Sequence, residues 1–323
     1  FTQVAYKGNI HRFKLHTCLS GILLKGVSGG IEKFNKVAMP GLLLLLIVLL
    51  IRSLTLPGAE EGIKYMFHID LSYLNAGTVL SALGQAFYSL SLGLAIMVTY
   101  GSYLKKEENL ERNVGMICFF DTFVALTAGF IIIPAVFATG VEPGMGGGFA
   151  FASLAGVFEQ MTGGAFFGAL FYLLLLFAAL TSEISIIEGT VAFVSEEFHV
   201  DRKKTIIILS VIMFVIGIFY TLSQVYLPIK GIWFDFVNGI QYPSFGNFME
   251  FITDRFTMPL GALIFCIFVG WRWGTKNAVA EVRQNGMFEF KLAGVWSVMV
   301  KFVVPVAIFA ILVCGLVFGM SMS

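Results

Sequence analysis

Ala178, Thr181, Ser182, Ser185 and Ile186 recur at i, i+3, i+4, i+7 and i+8, the spacing of a single helical face. Two adjacent hydroxyls and a carbonyl one turn back suit a small hard cation, because oxygens replace its hydration shell and uncharged ones release it readily. Thr and Ser also back-bond to their own helix, and the residue types alone leave both uses open. A second polar set, Gln85, Tyr88, Ser89, Ser91 and Gly93, surrounds the run Ser89-Leu90-Ser91-Leu92-Gly93. Serine competes for backbone hydrogen bonds and glycine tolerates non-helical geometry, so a helix interrupted here would present carbonyls and amides to a solute. Close helix packing through small residues is the other use of such a run. Gln85 favours a polar cavity, because its amide needs several partners.

Asp121, Glu183 and Glu188 are acids inside otherwise apolar runs. Burial as an unpaired anion is costly, so such a group faces a cation, a proton donor or a wet cavity. Glu188, near the end of its run, is placed to reach water or a basic partner. No further metal site is written: Cys18, Cys118, Cys266 and Cys314 are scattered, as are His11, His16, His68 and His199. The cysteines read as small apolar filler and the histidines as solvated.

The elements that carry these residues are apolar and long. Hydrophobic residues make up 58% of the 323 and charged residues only 13%, a balance foreign to soluble domains. A bilayer core needs about 20 apolar residues per helix, and seven spans meet that need: 37–54, 78–104, 113–138, 165–195, 204–222, 247–271 and 294–319. The expected fold class is an all-α polytopic membrane protein. Between the third and fourth spans lies a Gly-rich turn at 141–148. It has neither the preceding strand nor the Lys-Ser/Thr of a phosphate loop. Residues 151–161 then read as a short helix lying over the protein.

Lys and Arg set the orientation. Alternate loops, together with the amino-terminal segment, hold 16 of the 21 basic residues, among them Lys33, Lys105, Arg202 and Arg283. The opposite loops hold Arg52, Lys64, Lys230 and Arg255. The amino terminus is therefore expected in the cytoplasm, with the chain multi-pass in the plasma (inner) membrane. No cleavable signal peptide is visible in the first 25 residues. The net charge of +1 gives no support to nucleic acid as a partner; the lipid bilayer is the expected one.

Around these residues the sequence resembles the neurotransmitter:sodium symporter family, especially its shorter bacterial members that carry amino acids. The motifs are KGVSGGIEKFNKVAMP from Lys25, similar to the start of the family's fifth helix, and GQAFYSLSLG in the sixth. DTFVALTAGFIIIPAVFA in the seventh and FAALTSEISIIEG in the eighth follow, and the likeness ends near Met320 with the eleventh. It covers residues 25–323 as a transmembrane symporter domain and leaves 1–24 unassigned. It implies an inverted-repeat fold of which the chain holds helices five to eleven, the second repeat at about 78–271.

By motif, the resemblance implies a second sodium site at the Ala178 carbonyl, Thr181 and Ser182, and a ligand of the first at Ser89. Tyr88 takes the place of an aromatic lid over the substrate. Ser91, Leu94 and Ile186 match the lining of the amino-acid pocket, which Ser89 and Ser182 adjoin. Gln85 matches a residue beside the family's anion site. Asp121 falls at or near an asparagine sodium ligand, and Ala125 replaces the serine or glutamate expected one turn later. Asp121 is thus expected to supply the charge that chloride supplies elsewhere, so that sodium ions are required and chloride is not. Glu250 or Asn247 falls near the acidic outer gate.

The family's first and third helices, which complete both ion sites, have no counterpart here, so the resemblance implies a reading that starts inside a longer transporter. The expected function is sodium-coupled symport of a small amino acid or related amine by alternating access. A non-transporting membrane scaffold derived from a transporter is the alternative. An enzyme is not expected, since no His-Glu-x-x-His, Ser/His/Asp set or paired-carboxylate motif sits in the spans.

Overall fold

The computed structural model describes residues 19–68, 70–140, 154–225, 241–242 and 244–317. In chain order the α-helices are α1 (Glu32–Leu54), α2 (Ala59–Phe67), α3 (Ala76–Ser89), α4 (Ile96–Ser102), α5 (Leu110–Thr139), α6 (Leu154–Gln160) and α7 (Gly164–Glu197). They continue as α8 (Arg202–Val225), α9 (Phe245–Glu250), α10 (Met258–Ile267), α11 (Thr275–Arg283), α12 (Ala293–Val298) and α13 (Val304–Val317). The chain forms two compact units, one from Phe1–Leu24, Ala76–Met116 and Ser185–Ser323, the other from Lys25–Asn75 and Ile117–Ile184.

Among the described residues six helical stretches are long and apolar enough to cross a membrane: Val27–Leu54, Leu110–Thr139, Gly164–Glu197, Arg202–Ser223, Phe245–Arg272 and Ala293–Leu316. One of the seven expected spans, 78–104, is not among these six continuous stretches. That stretch is not one helix but two short ones, α3 and α4, and neither half reaches spanning length. The first span also begins ten residues earlier than expected, because a π-helical turn at Val27–Ile31, opened by Gly29 and Gly30, runs directly into α1. The turn at 141–148 and residues 151–153 lie outside the described residues, while α6 occupies the remainder of the short helix expected over 151–161.

In the second unit, Leu46, Leu49, Ile131, Val157 and Phe171 form a shared core. Pro134 inside α5 cannot donate to the carbonyl one turn back, and such an interruption loosens the ladder around it. The neighbouring Ile131 carbonyl accepts instead from Ser53 Oγ at 2.6 Å, which fastens the end of α1 to α5. Gly62 of α2 lies flat against Pro134, where a Cβ would come within 2.6 Å of the proline Cα. The loop helix α2 therefore sits on the bend of α5 because one residue lacks a side chain.

In the first unit, Ser20 Oγ donates to Ser210 Oγ at 2.8 Å, and the Asp201 carboxylate caps α8 by accepting from the Lys203 and Lys204 amides. The two carboxy-terminal spans are interrupted by π-helical turns at Phe251–Thr257, Phe268–Arg272 and Met299–Val303. Pro259 and Pro305 follow two of these, and each removes one donor from the ladder. Pro305 orphans the Lys301 carbonyl, which accepts from Trp271 Nε1 at 3.2 Å. Gly270 makes room for that contact, since a Cβ there would stand 3.3 Å from Lys301 Cα.

Candidate functional site

The interruption between α3 and α4 has a defined chemistry. Ser91 adopts a left-handed conformation, φ 54°, and its amide donates to the Tyr88 carbonyl at 3.0 Å. The Leu92 amide donates to the Phe87 carbonyl at 3.1 Å, so the end of α3 is a Schellman motif with serine where glycine is usual. Ala95, φ 60°, precedes α4 in the same unusual region. Gly93, φ 87°, meets α10 so closely that a Cβ would collide with the Met258 carbonyl oxygen. The Ser-Leu-Ser-Leu-Gly run thus serves both open uses: the serines end the helix and the glycine packs it. Ser89 is the last residue of α3, while Tyr88 and Leu94 on either side of the break are exposed. Gln85 stands one turn before Ser89 on α3 and is exposed.

Beyond the break, α4 is held by side chains the sequence did not single out. Tyr100 donates to Ser185 Oγ at 2.9 Å, and Tyr103 donates to Glu188 Oε1 at 2.6 Å. Arg202 Nη1 and Nη2 donate to the two oxygens of the same carboxylate at 2.9 and 2.6 Å. Glu188 is wholly buried and accepts three charge-assisted or phenolic hydrogen bonds. The basic partner expected for it is therefore Arg202, from the first turn of α8. Glu188 and Arg202 lie 14 residues apart on consecutive helices joined by a short turn, so their charges were a signal that could have been paired; the two tyrosines carried no such signal.

The hydroxyl-bearing face read from the sequence lies on α7, with Ala178, Thr181 and Ser182 in the second unit. Helix α7 runs unbroken from Gly164 to Glu197, so the i, i+3, i+4, i+7, i+8 register from Ala178 to Ile186 holds. Thr181 Oγ1 donates to the Ala178 carbonyl at 2.9 Å and to Phe177 at 3.1 Å, and Ser182 Oγ donates to Ala178 at 3.0 Å. Back-bonding, one of the two uses left open, is what the geometry contains. It also gathers the Ala178 carbonyl and both hydroxyl oxygens into one cluster. A hydroxyl that donates to its own helix keeps acceptor lone pairs, and rotating its proton away would turn both toward a cation. Three uncharged oxygens so placed fit sodium as part of a ligand set.

Asp121, half-buried on α5, belongs to the second unit with this cluster, and exposed Ala125 follows one turn later. Ser89, Ser91, Leu94 and Ile186 belong to the first unit, and Ile186 is exposed on α7. Of the outer-gate candidates, Asn247 is engaged at the start of α9. Its amide N–H donates to Ser244 Oγ at 3.3 Å, and its side-chain oxygen accepts from that hydroxyl at 2.7 Å. Glu250 is exposed at the end of α9. Asp254, which sequence reasoning missed, stands half-buried in the π-helical turn that follows and accepts from Thr253 Oγ1 at 2.9 Å.

The profile of the Sodium:neurotransmitter symporter family matches residues 3–322, taking in nearly all of the amino-terminal segment left unassigned from sequence. The uncharacterized sodium-dependent transporter YhdH of Bacillus subtilis is 36% identical over 292 residues, 89% of this chain and 62% of the relative. A sodium-dependent transporter of Haemophilus influenzae is 35% identical over 297 residues, 91% of this chain and 62% of its own length. The crystal structure of MhsT in complex with L-phenylalanine superposes with a TM-score of 0.78 at 36% identity, covering 92% of this chain and 65% of MhsT. The chain thus spans about three fifths of the length of the curated relatives it matches.

Proposed function

The chain belongs to the sodium:neurotransmitter symporter family, and from that membership we propose that it serves sodium-coupled symport of a small amino acid or related amine by alternating access. Its relatives are sodium-dependent transporters, and MhsT, the structural neighbour, holds L-phenylalanine. The observation that carries the proposal is the oxygen cluster of Ala178, Thr181 and Ser182 on an unbroken helix. Sodium enters by turning the two hydroxyl protons away from the Ala178 carbonyl. By the same motif reading, Ser89 is a sodium ligand of the other site, and Asp121 is taken separately as a sodium ligand on α5.

The substrate sits against the interrupted helix. Tyr88 covers it, Ser89 adjoins it, and Ser91, Leu94 and Ile186 line its side-chain end; Ser182 is carried over by motif as a further substrate contact. Gln85 is carried over by motif as an anion-site residue, and Asp121 as a source of negative charge that makes chloride unnecessary. Glu250 serves as the outer gate; its exposure supports the choice, since Asn247 is spent on the Ser244 cap. The loop charges support a cytoplasmic amino terminus, and the chain is taken to be multi-pass in the plasma membrane.

The test is uptake of labelled amino acids into cells expressing the gene with all coding sequence upstream of Phe1 retained. Changing Thr181→Ala together with Ser182→Ala abolishes the sodium-dependent component while the protein still reaches the membrane. Unchanged uptake in that double variant removes the sodium assignment. Sodium-independent tight binding to a full-length subunit, without solute uptake, would instead establish the scaffold.

A further inference from the structure

We propose that the groove between α11 and α12 binds the phosphate headgroup of an anionic phospholipid. The groove has a volume of ≈ 540 Å³, within the roughly 300–1,000 Å³ typical of small-molecule sites. Its walls include Lys276 and Arg283 from α11, and Ser297 from α12, with Gly286 and Gly294 along the floor. Lys276, Ala280 and Arg283 follow one another at i, i+4 and i+7, so both cations line one face of α11. Glu281 is about 140° round the helix from Lys276. The described ion pairs are Lys36 with Glu32, Arg202 with Glu188 and Lys291 with Glu289, which leaves Lys276 and Arg283 outside any of them. Arg283 Nη2 donates to the Phe290 carbonyl at 3.3 Å, a tether that sets the guanidinium at the mouth and leaves its other donors for a ligand.

The surroundings point to a lipid rather than a soluble anion. The groove lies in the connection between two spanning stretches, Phe245–Arg272 and Ala293–Leu316. Trp271, Trp273 and Trp296 cluster in the residues flanking that connection, the signature of the headgroup level. Lys301 Nζ lies 5.2 Å from the Trp271 ring centroid and 5.7 Å from that of Phe302, which carries a cation toward the same level. Beside the groove, Val295, Val298 and Phe302 are exposed apolar side chains running along the span, the surface an acyl chain covers. A basic pocket between helix ends with an apolar flank fits an amphiphile whose charged end is a phosphate. The inference rests on these two stretches crossing a bilayer; it needs neither sodium coupling nor a particular substrate, so transport assays and this test fail independently.

The full chain is reconstituted in phosphatidylethanolamine vesicles containing equal fractions of phosphatidylglycerol and phosphatidylcholine, with brominated acyl chains on one or the other. Brominated phosphatidylglycerol quenches tryptophan fluorescence as if enriched about fivefold over brominated phosphatidylcholine, the ratio one membrane-surface cation supports. Lys276→Gln with Arg283→Gln brings the two lipids to equal quenching. Gly294→Leu does the same by filling the groove, and its Cβ meets nothing within 4 Å, so the helix tolerates it. Equal quenching in the unaltered chain, or a preference that survives both variants, overturns the proposal. Displacement of phosphatidylglycerol by millimolar inorganic phosphate also overturns it, by marking a soluble-anion site.

Discussion

Glu188 and Arg202 form a two-pronged ion pair in which both guanidinium nitrogens meet both carboxylate oxygens while the Glu188 side chain is completely buried. Tyr103 completes the carboxylate's shell from the end of α4. Removing Arg202 leaves the buried Glu188 carboxylate without its partner, which costs about 3–5 kcal/mol. Arg202→Ala is expected to destabilise the protein by that amount, Glu188→Ala by less because the guanidinium it leaves behind is about a third exposed (32%), and Glu188→Met with Arg202→Met by much less than Arg202→Ala. Chemical unfolding in detergent measures all three; additive losses in the double variant would contradict the pairing.

The break between α3 and α4 sets two neighbouring residues against each other. Ser91 holds a backbone geometry that costs a non-glycine residue roughly 1–2 kcal/mol, so Ser91→Gly should raise thermal stability. Gly93→Ala should lower it steeply, because the new methyl strikes the Met258 carbonyl. Thermal unfolding of the two variants side by side gives opposite signs; a shared sign would mean the break is not built as described.

Asp121 carries a charge prediction. If the Asp121 carboxylate on α5 takes the role of the anion, as proposed, sodium-driven uptake is expected to be indifferent to replacing chloride with gluconate. Asp121→Asn should then either lose uptake or acquire chloride stimulation. Chloride-stimulated uptake already present in the unaltered protein, and persisting in Asp121→Asn, refutes the substitution of one charge for the other.

Trp271 and Pro305 should be energetically coupled although neither touches the other's polar atoms. Trp271→Phe leaves the Lys301 carbonyl without its donor and costs roughly 1 kcal/mol. In a Pro305→Ala background the helix ladder supplies that donor, and the cost of Trp271→Phe should fall toward zero. A double-mutant cycle on unfolding free energy reads the coupling directly.

The long apolar helices were legible in residue pattern because a bilayer imposes a length on them, and Gly164–Glu197 matches its expected register closely. The interruption at Ser91 was legible only as a choice, since hydropathy averages straight through a turn whose side chains are as apolar as the helix around it. That is why seven spans were expected where six stretches reach spanning length. The contacts of Tyr100 and Tyr103 with α7 join residues 85 apart in sequence, and no local spacing encodes such a meeting. The loop helices α2 and α11, nine residues each, were too short to register as periodic. Thr181 and Ser182 were read correctly as a face, while their present bonding partners depended on rotamers that composition does not specify.

An unbroken helix over 76–102 would be a rod, and a twist at Tyr103 would turn Tyr88 with it. With the ladder cut between Ser89 and Ile96, that torque dies at the joint. The Glu188–Arg202 clamp grips only the lower arm through Tyr103, and Met258 grips the joint through Gly93. Tyr88 and Ser89 therefore share no continuous backbone ladder with the Tyr103 end, and each arm takes its orientation from its own contacts.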